Sequence, residues 1–241
     1  SSCELEREPF NAYTEDKILA DKEAAVEVLL NGCYAQLKGW SDVMHRVGEY
    51  PGDNIMIRGT STDSFYSFIS YQHIPNNGRL SVFWNNSYKI ISQSSDLMKI
   101  ISEGENAISD QKLGEAYYLR GMIYFYLSRT YGRPYAQSPE SNLGVPIVNG
   151  LPADLNNLHL PDRSTIKDSY QQAINDLKKA EALMTVKQSA TYATREAAQA
   201  MLSRVYLYMS GTYQSPNQEY ATLAIEYANK TNITIINVED L

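Results

Sequence analysis

The sequence is poor in the residues from which most active centres are built. Its 241 residues include only two cysteines, Cys3 and Cys33, and three scattered histidines, His45, His73 and His159. That excludes a disulfide framework and a Cys/His metal site, so neither a metal nor any other cofactor is expected. There is no HExxH pair, no nucleophile elbow and no phosphate loop. A glycosidase would need two placed carboxylates, and among 28 acidic residues any pair chosen by spacing is arbitrary. The sequence therefore predicts a protein that performs no catalysis. Clustered Lys and Arg are missing as well, and a formal net charge of −7 argues against a nucleic-acid partner, whose phosphates need basic side chains. Finally, no stretch of about eighteen uncharged apolar residues could span a bilayer, so a membrane link has to be an anchor.

Tyrosine is abundant: 19 stand beside five Phe and two Trp. Rings with a hydroxyl suit surfaces that are half apolar and half wet. Apolar residues make up 43% of the chain and charged residues 20%, enough for one large core at this length. Apolar positions recur mostly at intervals of three and four, which predicts an all-α fold. A first helix is expected from about Lys22 to Leu37, capped by Asp21. A second is expected near Ser81 to Ser102, and a third from about Gln111 to Tyr131, apolar nearly all the way round and so covered on several sides. Thr165 with Asp168 reads as a capping box, Thr194 as the next N-cap, and Ser215 before Pro216 as the start of the last helix.

Two features break this pattern. Residues 39–80 hold the turn signals Pro51-Gly52-Asp53-Asn54, Arg58-Gly59-Thr60 and Pro75-Asn76-Asn77-Gly78 and read as a long irregular loop after the first helix. A loop of that length in a compact domain usually serves binding. A second, proline-rich loop follows the third helix. An internal repeat is also present: Tyr124-Phe125-Tyr126-Leu127-Ser128-Arg129-Thr130-Tyr131 and Tyr206-Leu207-Tyr208-Met209-Ser210-Gly211-Thr212-Tyr213 are identical at five of eight positions. Each copy precedes a narrower amphipathic helix, so residues 111–231 form helix pairs of tetratricopeptide-like character. Such an array could also be a scaffold for a protein partner, which stands as the alternative reading.

These residues together resemble the SusD/RagB family. The resemblance rests on Leu113-Gly114-Glu115-Ala116-Tyr117-Tyr118-Leu119-Arg120-Gly121 ending at Tyr131-Gly132, and on Phe83-Trp84 with Tyr88 and Ile91. Leu143-Gly144-Val145-Pro146, Asp162-Arg163-Ser164-Thr165 and Ala193-Thr194-Arg195-Glu196-Ala197-Ala198 extend it in the same order. Ser94-Ser95 stand where the family usually has Ala-Asn. The resemblance implies a SusD-like α-α superhelix and a surface lipoprotein that captures oligosaccharide or peptide. It also implies delivery to a SusC-like, TonB-dependent outer-membrane transporter. Cys3 after two serines matches a lipidation site, giving an anchor tail over 1–20, an outward-facing outer-membrane location and a helical domain over 21–241. Family members are about twice as long, so a C-terminal ligand lobe is expected to be absent from this sequence.

Carbohydrate recognition needs flat rings for C–H faces and planar polar groups for hydroxyls. The long loop offers Trp40, Tyr66 and Tyr71 as rings, with Arg58, Asp63, Asn76 and Asn77 as polar partners, and these are the candidate ligand residues. The helical tyrosines, by contrast, read as packing groups between helices.

Overall fold

The computed structural model describes residues 21–57, 62–72, 74–150, 161–189 and 191–232. Cys3, Arg58, His73 and His159 lie outside them, as does the tail over 1–20. Seven helices run through the described residues: α1 (Lys22–Glu49), a single turn α2 (Tyr66–Ile69), α3 (Gly78–Ile100), α4 (Ala107–Tyr131), α5 (Ile166–Leu183), α6 (Arg195–Met209) and α7 (Gln218–Lys230). No strand occurs among the described residues. Each long helix packs on the next, and α4 also touches α1 and, lightly, α6. The result is all-α with tetratricopeptide-like pairing: α4 with α5, then α6 with α7.

The caps explain where these helices begin. Asp21 accepts from the Ala24 amide, Thr165 from Asp168 and Thr194 from Ala197, as their side chains predict. Three starts differ from the sequence reading: α3 begins at Gly78, three residues early, because Asn77 caps it. The last helix is capped by Asn217, which accepts from the Tyr220 amide. Ser215 instead closes a turn, its amide donating to the Thr212 carbonyl at 3.1 Å. Gly211 makes that turn possible: its φ is +91°, and a Cβ there would sit 2.2 Å from the Ser215 carbonyl oxygen. The third long helix starts earlier than expected because Asn106 accepts from both the Ile108 and Ser109 amides.

A larger correction concerns the loop. The first helix does not end at Leu37 but continues to Glu49, so residues 39–49 are helix. Gly39 is tolerated because the buried stripe runs on through Cys33, Trp40 and Val43; apolar burial outweighs the roughly 1 kcal/mol that a helical glycine costs. Tyr50 and Pro51 then end it. Between α1 and α3 the described residues 50–57, 62–72 and 74–77 are irregular apart from α2.

The core is centred on α4. Leu119, Ile123, Tyr124, Phe125 and Leu127 are fully buried, which answers the all-round apolar pattern. Gly121 lets α5 approach: a Cβ there would meet the Ala173 carbonyl and the Leu177 side chain at 3.0 Å. Beside it Arg120 reaches Asp176 through both carboxylate oxygens, at 2.8 and 2.7 Å, and Ser95 at 3.0 Å, joining α3, α4 and α5. Ser95, at the position where the resemblance is weakest, is therefore a partner of this buried pair. Glu115, also buried, is held only by neutral groups. The Tyr34 hydroxyl donates to it at 2.7 Å and Gln188 at 2.9 Å, and burial raises its carboxyl above the ordinary range.

The motif segments in the second loop meet each other. Gly144 donates to the Ser164 carbonyl at 2.7 Å, and the Arg163 guanidinium reaches the Gly144 and Leu143 carbonyls at 2.7 and 3.1 Å. Tyr124 clamps the same loop, its hydroxyl donating to the Val148 carbonyl and accepting from the Val148 amide, both at 2.9 Å.

Candidate functional site

The described residues of loop 50–77, which are 50–57, 62–72 and 74–77, form a folded part of the surface with a small core of its own. Phe65 is buried beneath it, with the Tyr50 ring edge-on at 5.3 Å and Phe68 at 6.1 Å. Two guanidiniums flank that ring, Arg46 at 5.3 Å and Arg79 at 4.8 Å, close enough for cation–π attraction. The Asp63 carboxylate accepts from the Phe65 amide at 2.8 Å and its carbonyl from the Tyr66 amide at 2.9 Å, starting α2. Asn77 closes the loop with its whole side chain. Its oxygen accepts from the Arg79 and Leu80 amides, while its nitrogen donates to the Ser64 carbonyl at 2.8 Å and the Ser67 hydroxyl at 3.1 Å. Tyr71 holds a left-handed φ of +54°, a conformation uncommon outside glycine, and its hydroxyl donates to the Pro51 carbonyl.

The loop borders two concavities. The smaller, about 290 Å³, is lined by Asp63, Ser64, Tyr66, Ser67, Ser70, Gln72, Ile74, Asn76, Asn77 and Gly78. Four of the residues predicted from the sequence, Asp63, Tyr66, Asn76 and Asn77, therefore converge on one hollow. Asn76 is exposed and Tyr66 half-buried. Asn77 is buried and its polar atoms are engaged, so its part there is to hold the wall. Tyr71 is not among the lining residues and presents 67% of its surface to solvent. Ile55, Met56 and Ile74, from the same loop, are exposed apolar side chains.

Trp40 is a correction. It lies inside α1, only 2% exposed, stacked on Phe83 at 5.6 Å with its indole nitrogen donating to Ser87 at 2.8 Å. A ring covered in this way is core and offers no face to a ligand. Trp84, by contrast, is half-buried against Tyr88 and Tyr131, both at 4.8 Å.

The larger concavity measures about 550 Å³. It is bounded by Met44, His45 and Glu49 of α1, Pro51 and Phe68 of the loop, Leu80 of α3, Tyr126, Arg129 and Thr130 of α4, and Arg204 and Tyr208 of α6. Its volume falls in the range of small-molecule sites. Arg129 stacks over the Tyr208 ring at 4.1 Å, and Arg204 donates to the Tyr126 hydroxyl at 2.9 Å. Sequence spacing does not reveal these residues because they come from four helices far apart in the chain, α1, α3, α4 and α6. One signal was available: Tyr126 and Tyr208 occupy the same position in the two copies of the repeat.

Among the described residues no group of three or more His, Cys, Asp or Glu could hold a metal ion, and no helix is long and apolar enough to cross a membrane. Rings, amides and guanidiniums around open hollows are suited to holding a polar ligand.

Comparisons with known proteins agree with this architecture. A family described as starch-binding and associating with the outer membrane matches residues 5–207. A SusD-like protein P38 from Formosa agariphila is 23% identical over 225 residues, covering 92% of this chain and 42% of its own length. A putative sugar binding protein from Bacteroides vulgatus superposes with a TM-score of 0.71 at 28% identity, covering 86% of this chain and 46% of that one. A structure solved with a xylogluco-oligosaccharide has the same fold, with a TM-score of 0.65 at 21% identity, covering 86% and 41%. The chain thus spans less than half the length of these relatives. With the family matched along most of the sequence, on the fold it implies, this chain belongs to the SusD-like family of starch-binding proteins that associate with the outer membrane.

Proposed function

We propose that this chain is part of a cell-surface nutrient-binding protein that captures an oligosaccharide and delivers it to a TonB-dependent transporter, without acting on it chemically. The observation that supports the reading is that the described residues of loop 50–77 border two hollows, the smaller lined by Tyr66 and polar groups and the larger by several rings and two guanidiniums, on a fold shared with a relative described as sugar binding. In the smaller hollow Tyr66 offers a ring, and Asp63 and Asn76 offer hydrogen-bonding groups, with Tyr71 exposed on the same loop. Sugar recognition combines a few such groups with a scaffold that holds them before the ligand arrives, which lowers the entropic cost of binding. The buried Phe65 and the fully bonded Asn77 supply that rigidity here.

The helical repeats serve as the scaffold and as the surface facing the transporter. Anchoring at the outward face of the outer membrane through Cys3 and a contribution of Arg58 to the ligand site rest on the sequence alone. Affinity electrophoresis of the full-length protein against a panel of polysaccharides and peptide mixtures tests the reading. Retardation by at least one glycan, reduced in Y66A and Y71A, is expected; retardation by no glycan would count decisively against it.

A further inference from the structure

The 550 Å³ cleft differs in charge from the rest of the molecule. The chain carries a net charge of −7, and the arginines of the cleft-lining helices differ in their partners: Arg46 of α1 meets Asp42 at 2.9 Å and Arg120 of α4 meets Asp176 at 2.7 Å, whereas Arg79 of α3 donates to the Ser64 hydroxyl and Arg195 of α6 to the Glu181 carbonyl, both away from the cleft lining. At the cleft, Arg129 and Arg204 are ion-paired with no carboxylate among the described residues. They are held by rings instead, Arg129 over Tyr208 at 4.1 Å and Arg204 on the Tyr126 hydroxyl at 2.9 Å. One carboxylate, Glu49, lines the cleft, and no ion pair joins it to either guanidinium. A guanidinium fixed against an aromatic face has its planar donors already oriented, and that fork matches an oxyanion in two-pronged fashion. Tyr208, 43% exposed, adds apolar surface beside the charge.

We propose that this cleft is an acid-selecting subsite, taking an oligosaccharide that carries an anionic oxygen group, a uronate carboxylate or a sulfate ester, against Arg129 and Arg204. The proposal deepens the saccharide-binding reading and rests on it. A neutral sugar meets the same rings without using the two charges; an acidic one replaces the water around the guanidiniums with charge-assisted hydrogen bonds. Those bonds are stronger than neutral ones by enough for a preference of roughly tenfold.

The test titrates the full chain with three oligosaccharides of matched length: a neutral galactan, an oligogalacturonate and a sulfated galactan, each at low and at high sodium chloride. At low salt at least one acidic oligomer is expected to bind roughly tenfold tighter than the neutral one, with the better of the two identifying the group. That advantage should shrink at high salt, because exposed charges are screened. In the double variant R129Q/R204Q the ratio of acidic to neutral affinity should fall to about one, while R129K/R204K, which keeps the charges, retains part of it. The salt series uses the unaltered protein, so it decides even if a variant fails to fold. Equal affinity for neutral and acidic oligomers, or a preference that survives in R129Q/R204Q, overturns the subsite and leaves the saccharide reading intact. An acidic peptide titrated in parallel is expected not to bind; its binding, with none of the three oligosaccharides bound, overturns both.

Discussion

The two copies of the repeat share a register and differ in what covers them. In the first, on α4, Ala116, Tyr124 and Phe125 are completely buried; in the second, on α6, Ala198 and Tyr206 are buried but Leu207, at the position of Phe125, is 61% exposed. Tyr126 is 7% exposed and its counterpart Tyr208 43%. The last tyrosine of the first copy is half-buried and donates to the Leu80 carbonyl at 2.9 Å, whereas Tyr213 is 97% exposed. The cause is the number of neighbours: α4 is enclosed by α1, α3 and α5, whereas α6 packs mainly on α5 and α7. The same sequence pattern thus gives an enclosed central helix in one place and a half-open one in the other, and both contribute to the cleft.

The sharpest way to break that comparison is to truncate equivalent positions. Phe125→Ala should cost about 3–5 kcal/mol of stability by leaving a cavity, while Leu207→Ala should change it by less than about 0.5 kcal/mol; urea denaturation of both variants gives the two values. Arg120 and its repeat counterpart Leu202, both buried, make a second contrast. Arg120→Ala strands the Asp176 carboxylate and should cost about 3–5 kcal/mol, whereas Arg120→Leu combined with Asp176→Leu should come close to neutral, since a buried pair can often be replaced by apolar packing. Near-equal losses in the single and the double variant would show that the pair itself is indispensable.

Smaller effects probe the loop and the buried carboxylate. Asn77→Ala removes a helix cap together with two donors to the loop, and thermal melts should report a loss of about 1–2 kcal/mol. Glu115 has no counterpart charge in the second copy, where Ala197 stands. Its carboxyl is raised by burial, so the folded state keeps a proton that the unfolded chain has released. The stability this confers is complete below the unfolded carboxyl value and is lost as pH rises through the folded one. Melting temperature followed from mildly acidic to neutral pH should therefore fall less steeply in E115Q than in the parent protein.

What could be read in the sequence follows the range of the interactions. Asp21, Thr165 and Thr194 cap helices through bonds to amides three residues on, so spacing alone reveals them. Asp63, Tyr66, Asn76 and Asn77 meet within one loop, and turn signals were enough to bring them together. Trp40 lies beyond the stretch in which helical spacing is evident, and what places it in the core is burial against Phe83 on another helix. Ser215 has the spacing of a cap, but the turn at Gly211 engages it first and Asn217 caps the helix instead. The cleft was hidden because His45, Arg129 and Arg204 become neighbours only through tertiary packing; only the repeated tyrosine pointed to it.

The central claim is that ligand binds where loop 50–77 meets the repeats. Hydrogen–deuterium exchange with and without a glycan that the full-length protein retains measures this directly. The account predicts slowed exchange in peptides covering 62–72, 126–130 and 204–208, with little change in the exposed turn 211–216. Protection confined to α5, α7 or that turn, with loop 50–77 unchanged, would contradict it.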